Sequence, residues 1–307
     1  MPASTPHPQT GLQTPSAEIL KFYAEPSALT SPGRHTKAFD ALPDDPIALA
    51  RIVQGLVLHK YMAKAYGVDV SPARDSEAHI RRVESMLEQI FALDERPLPA
   101  LRMPEKRLFG VCGHFTSLLV AMLRAKGVPA RERAGFGAYF NPPWFEEHVL
   151  CEYWSAEGSR WIRLDTQFDE TWRTTLKPDH DPFDVPHDRF LTATDAWTLC
   201  RAGKADPDRF GIFQGNKRGL WFIAVELIRD VAALNKMEVL VWDVWGAMPK
   251  PDTHFDAKLL KYFDQLAALT RDPDASFDDL VALYRYDQGV QVPPVVFNVI
   301  TNHPESV

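Results

Sequence analysis

The chain has 307 residues, enough to bury a sizeable core, and its 45% hydrophobic content with 24% charged residues is that of a globular protein. Thirty-four Lys and Arg against 41 Asp and Glu leave a net charge of −7 with no basic block, which argues against a nucleic-acid partner. Three cysteines, Cys112, Cys151 and Cys200, are too few for a disulfide framework and have no zinc spacing, so a reducing, cytoplasmic setting without metal or cofactor is expected.

Residues 1–16 are rich in Pro, Thr and Ser and lack an apolar stretch of signal-peptide type, so a disordered start is expected. The longest apolar runs, such as Leu118 to Leu123, are too short for a bilayer, and no membrane partner is expected. Residues 17–105 read as a helical lead-in: Leu49, Ile52, Val53 and Leu56, then Ile80, Val83, Met86, Leu87 and Ile90, recur at three- and four-residue steps. Pro97, Pro99 and Pro104 end that pattern and deliver the chain to Cys112. A helix starts there, shows Phe115, Leu118, Leu119 and Met122 as one stripe, and stops at Lys126-Gly127-Val128-Pro129, a basic last turn, a glycine cap and a proline.

Strand-like segments follow at Ala130 to Ala134, Glu147 to Trp154 and Arg160 to Asp165. The last two read as a hairpin about Ser155-Ala156-Glu157-Gly158, with Gly158 supplying the positive φ; paired positions would then sum to 313 and set His148 opposite Asp165. Alternation puts Val149, Cys151, Tyr153, Ile162 and Leu164 on a packing face, and His148, Leu150, Glu152, Trp161, Arg163 and Asp165 on the other. From residue 179 to 307 a mostly helical extension is expected, with helices near 195–201, 220–234, 259–269 and 277–286, and with Trp221, Phe222, Trp242 and Trp245 filling a core.

Cys112, His148 and Asp165 have the residue types of nucleophile, base and orienting carboxylate. A thiol at a helix N-terminus meets unpaired N–H groups, and a lowered thiol pKa is expected. His114 lies about 200° around that helix from Cys112 and reads as structural, as does Cys151 on the packing face. The loop from Tyr139 to Phe145 offers Tyr139, Trp144 and Phe145 as walls of an acyl pocket or as ordinary packing, and Arg163 as a contact for a substrate carboxylate. Arg131 and Arg133 read as solvated strand residues. Asp179-His180-Asp181 lacks a further ligand to make it a metal site.

The block Gly110-x-Cys112, then Leu118, Leu119, Leu123-Arg124 and Gly127-Val128-Pro129-Ala130-Arg131, His148-x-Leu150-x-Glu152 and Trp161-x-x-Leu164-Asp165-Thr166 resembles the transglutaminase-like core. The tail, from Asp195-Ala196-Trp197 to Trp245, is similar to that of bacterial transglutaminase-like proteins. The resemblance implies an α+β, papain-like fold within residues 106–178, a Cys-bearing helix on an antiparallel sheet, and Cys112, His148 and Asp165 as a catalytic triad. It departs from the family at Leu150, where Trp is common, and leaves the second oxyanion donor among His59, Tyr61, His79 and Phe109. The expected activity is acyl transfer through a thioester, by hydrolysis or aminolysis, on a small-molecule or peptide substrate; the alternative is a binding module that keeps the fold without the chemistry. Oligomeric state is left open.

Overall fold

A computed structural model describes residues 14–215 and 217–307. Most of the expected disordered start, residues 1–13, lies outside the described residues. Ser16 is already a helix cap, its hydroxyl accepting from Ile19 N–H at 3.3 Å.

The elements run α1 (Ala17–Ala24), α2 (Pro46–Leu56), β1 (Val57–His59), α3 (Val83–Leu93), β2 (Leu108–Gly110), α4 (Cys112–Ala125), β3 (Ala130–Gly137), β4 (Phe145–Ser155), β5 (Arg160–Leu164) and α5 (Glu170–Leu176). They continue with β6 (Phe190–Thr192), α6 (Ala193–Arg201), β7 (Phe210–Ile212), β8 (Lys217–Arg218), α7 (Leu220–Leu234), β9 (Asp243–Val244), α8 (Ala257–Arg271), α9 (Phe277–Tyr286), β10 (Val295–Asn298) and β11 (His303–Ser306). The class is α+β, as the residue pattern implies.

Helix α4 ends where its sequence says it should. Lys126 closes the last turn, Gly127 takes a φ of +73°, and Val128 N–H returns to Leu123 O at 3.0 Å. Leu118, Leu119, Met122 and Leu123 are completely buried and join Leu49, Val53, Leu87 and Ile90 of α2 and α3 with Cys151, Tyr153 and Leu164 of the sheet. Each such side chain contributes roughly 1.5–3 kcal/mol of burial, so α4 is gripped between the helical lead-in and the sheet. Cys151 is core, wholly buried and in this cluster.

The main sheet is six-stranded, ordered β6-β3-β4-β7-β8 with β5 also paired to β4. Two expectations need correction here. The segment beyond residue 178 is not only helical: it places β6 on β3, and β7 parallel to the start of β4, so the sheet is completed by distant sequence. The lead-in likewise supplies β1, which pairs in parallel with β2 and sets His59 beside Gly110. Three-residue strands such as these have no readable alternation, and their pairing is long-range.

The hairpin register is the second correction. Cys151 pairs with Leu164, Glu152 with Arg163 and Ser155 with Arg160, so the paired numbers sum to 315. The turn is Ala156 to Ser159: Ser155 stays in the strand, its hydroxyl accepts Gly158 N–H at 3.0 Å, and Ser159 takes the positive φ of +48°. Because the slip is two residues, every side chain keeps its expected face, whereas a slip of one would have exchanged them all.

A second core is built by α6, α7 and α8 around Phe136, Trp197, Phe210, Phe222 and Trp245. Trp242 belongs to a small separate cluster with Ala78, Val111 and Leu240. Among the described residues no helix is long and apolar enough to cross a membrane.

Candidate active site

The neighbours of β4 leave a gap. On the edge away from β3, β5 covers Cys151 to Ser155 and β7 covers only Phe145 and Glu146, so the backbone from Glu147 to Leu150 has no strand partner on that edge. The first turns of α4 fill the gap. Thr116 Oγ1 donates to Val149 O at 3.1 Å, and the Cys112 sulfur is approached by the N–H groups of Val149 and Gly113. Ala134, which faces Val149 across the β3–β4 pair, turns its own N–H away, to Asp230 Oδ1 at 3.0 Å, as a non-hydrogen-bonded antiparallel pair requires. The thiol is therefore seated at the residue that follows His148.

The N-terminus of α4 is held by His114. Its Nδ1 accepts from Val111 N–H at 3.2 Å, which fixes the neutral ring with the proton on Nε2. Gly110 is required beside it, because a Cβ there would lie 2.8 Å from His114 Cβ and 3.0 Å from Val57 Cγ1. His114 is thus structural, and burial lowers its pKa to about 4. In the unfolded chain this ring protonates near 6.5, so the folded state loses stability as pH falls from there toward 4. In His114→Gln, the stability deficit relative to the wild type should shrink by about 3 kcal/mol between pH 7 and pH 4, measured by urea unfolding at each pH. A deficit independent of pH would mean that the ring titrates in the fold as it does in the unfolded chain.

His148 and Asp165 are brought together in spite of the register. They are diagonal rather than opposite, and His148 Nε2 and Asp165 Oδ2 are 2.8 Å apart, both side chains buried. Asp165 leaves the strand ladder just after Leu164, its N–H donating to Pro182 O at 2.8 Å, which turns the carboxylate back toward His148. Tyr139 OH donates to the same Oδ2 at 2.7 Å, and Gln167 N–H donates to Oδ1 at 3.3 Å. Phe140 packs edge-on to the imidazole with centroids 4.8 Å apart, while Tyr139 and Phe190 stand at 6.3 Å. With Nε2 committed to the carboxylate, Nδ1 is the nitrogen left to exchange a proton.

The remaining residues expected at substrate fall differently. Tyr139 is buried, and its hydroxyl is spent on Asp165, with burial and that carboxylate keeping the phenol protonated. Phe145 stacks on Phe210 at 4.5 Å, and Trp144 packs against Phe213 and under Arg218. Arg163 donates to Glu152 Oε1 at 3.1 Å and to Phe190 O at 3.1 Å, so its guanidinium is engaged inside the protein. Arg131 and Arg133 are not solvated: both are buried on the same Glu152, at 2.9 Å and 3.3 Å. Asp179 pairs with Arg189 at 2.7 Å.

The expected lowering of the thiol pKa is overturned. Burial of Cys112, with only 6% of its surface exposed, and the negative charge of Glu147 push the thiol up, against the downward pull of the Val149 and Gly113 N–H groups. Sequence reasoning passed over Glu147 and gave Tyr139 a place at substrate instead of its bond to Asp165. The first was visible only as strand alternation, since Glu147 shares the face of Val149, and the second needed the loop's path.

Comparison with known proteins matches residues 64–166, from before Cys112 to just past Asp165, to the core domain of the transglutaminase-like superfamily. Residues 64–166 are similar to a transglutaminase-like core. A protein-glutamine gamma-glutamyltransferase of Pseudomonas aeruginosa is 34% identical over 67 residues, which cover 19% of this chain and 10% of that protein. The chain therefore spans about a tenth of the length of that relative. A solved structure described as a putative cysteine protease from Cytophaga hutchinsonii is similar at 19% identity with a TM-score of 0.33, covering 59% of this chain and 50% of that one. In the transglutaminase-like core the thiol, imidazole and carboxylate discussed above all fall within the matched segment.

Proposed function

We propose that the protein is a cysteine-dependent acyl-transfer enzyme working through a thioester on Cys112, with His148 as base and Asp165 as its orienting carboxylate. The observation that supports this reading most is the buried 2.8 Å contact of His148 with Asp165 on the strand whose next residue meets the Cys112 sulfur.

The raised thiol pKa favours a neutral resting pair rather than a preformed thiolate. His148 Nδ1 takes the thiol proton as sulfur attacks the acyl carbon, and the imidazolium formed is stabilised by Asp165. The oxyanion accepts from the backbone N–H of Cys112 at the start of α4. Collapse breaks the bond to the leaving group, which takes the proton from His148. Water or an amine, deprotonated by His148, then attacks the thioester and returns the proton to sulfur. The acyl donor is an amide or thioester of a small molecule or peptide.

A chloroacetamide probe tests this. It should alkylate Cys112 faster than the more exposed Cys200, with the rate still rising above pH 8, and His148→Ala should slow it at least about tenfold. Peptide mapping by mass spectrometry reads the site, and Cys112→Ala is the control. The second reading, a binding module without chemistry, is favoured by the burial of the thiol and its raised pKa. It requires Cys112 to be no more reactive than Cys200 and indifferent to His148.

A further inference from the structure

Alternation along β4 sends His148 to one face and Glu147 to the other, the face that carries Val149 and Cys151 toward α4. The level along the strand follows from contacts: Thr116, one turn into the helix, reaches Val149, so the helix start reaches the neighbourhood of Glu147. Among charged groups Glu147 acts most strongly on the Cys112 thiol. Strand β4 thus presents a histidine on one face and a carboxyl on the other, and the catalytic reading uses only the first.

Among the described residues Glu147 has no hydrogen-bond or ion-pair partner. It is partly exposed, yet its Oε1 is buried without a hydrogen bond. The groups that act on it are Glu226 and Arg229 of α7 and Glu146 of its own strand, besides Cys112 of α4. Arg229 Nη1 is taken by Glu226. Glu226 is wholly buried and Arg229 nearly so, yet among the described residues Glu226 Oε2 and Arg229 Nε are also without partners. Two carboxyls, Glu147 and Glu226, against one engaged guanidinium leave an excess of negative charge beside the thiol, while Glu146 lies on the other face with its carboxylate held by Phe213 N–H at 3.1 Å; that excess costs free energy unless a proton or a cation neutralises it. A carboxyl here opposes thiolate formation when the site is empty, and a cation placed against it would remove that opposition.

We propose that Glu147 is a specificity-determining residue that recognises a positively charged group, a primary ammonium or guanidinium, on the substrate reacting at Cys112. The proposal rests on the accessibility of Cys112 that the acyl-transfer reading also needs. Burial and Glu226 hold the Glu147 carboxyl above the usual carboxylate range, so an arriving cation displaces a proton, and selectivity for cations should strengthen with rising pH.

Three methanethiosulfonates test it: 2-aminoethyl (cationic), n-propyl (its neutral isostere) and 2-sulfonatoethyl (anionic). In each case the Cys112 sulfur forms an S–S bond to the transferred thioalkyl group, methanesulfinate leaves with the electron pair, and the thiol proton is released. Rates are normalised to free glutathione and read on intact protein bearing Cys151→Ala and Cys200→Ser. The normalised cation-over-neutral ratio should be about tenfold at pH 8, fall toward one at pH 5.5, and fall toward one at both pH values in Glu147→Gln. Glu147→Asp should keep part of the preference. Equal ratios in wild type and Glu147→Gln would overturn the proposal; if that variant does not fold, a wild-type ratio that is near one or flat with pH does the same. No modification by any of the three sinks this proposal together with the thioester reading, whereas modification at equal normalised rates sinks this one alone.

Discussion

Asp165→Asn lowers the rate of Cys112 acylation by an activated ester such as p-nitrophenyl acetate by a factor on the order of 10²–10⁴. The side chain keeps its shape, but an amide in place of Oδ2 can present N–H groups to His148 Nε2, which favours the tautomer with the proton on Nδ1, the nitrogen that accepts the thiol proton in the proposed mechanism. The 2.8 Å contact that holds the ring is then made by the wrong form of the imidazole. Tyr139→Phe is the companion variant. It removes one donor, at 2.7 Å, from the same Oδ2 and costs only about three- to thirtyfold. Its diagnostic sign lies in the pH profile. Without the Tyr139 hydroxyl the carboxylate's charge is less neutralised, imidazolium is favoured, and the ascending limb of the rate moves to higher pH. An Asp165→Asn loss below about fivefold, with an unchanged Tyr139→Phe profile, would remove both residues from the chemistry.

Glu152→Gln destabilises the fold by about 3–5 kcal/mol without touching the thiol. Glu152 is 3% exposed and receives Arg131 at 2.9 Å, Arg163 at 3.1 Å and Arg133 at 3.3 Å, which together hold its carboxyl well below the usual range. Two of the arginines have further partners: Arg133 meets Asp230 at 2.9 Å and Arg131 meets Asp274 at 2.6 Å, joining the sheet to α7 and to the turn before α9. Neutralising the hub leaves Arg163 with no carboxylate and the other two short of one, all in low-dielectric surroundings. Urea unfolding should show a lower midpoint at unchanged slope, and a loss under about 1 kcal/mol would mean that water enters the cluster freely. This network also explains why Arg163 is not a free contact for a substrate carboxylate.

The helices of the site were readable because their signals are local. The stripe of α4, its Gly127 stop and the span of α7 from Leu220 to Leu234 each depend on residues within a few turns of one another. Face assignment on β4 and β5 was equally local, since alternation survives any even slip. The register itself was not legible, because whether Gly158 or Ser159 takes the positive φ depends on Ser155 remaining in the strand and accepting a hydrogen bond across the turn.

By itself the sequence determined an α+β chain with a helix beginning at Cys112, a hairpin bearing His148 and Asp165 on one face, and a likeness to the transglutaminase-like core, which the family match over residues 64–166 supports. Only the tertiary structure decided the surroundings of the thiol. The gap in the sheet between β5 and β7 admits the start of α4, Tyr139 closes on Asp165, and Glu147, on the face of β4 opposite His148, acts on the Cys112 thiol. The direction of the thiol's pKa was likewise invisible in the motif. A helix terminus is a property of neighbouring residues, whereas burial and the charge of Glu147 arise from segments that meet only when the chain is folded, and here they outweigh the helix end.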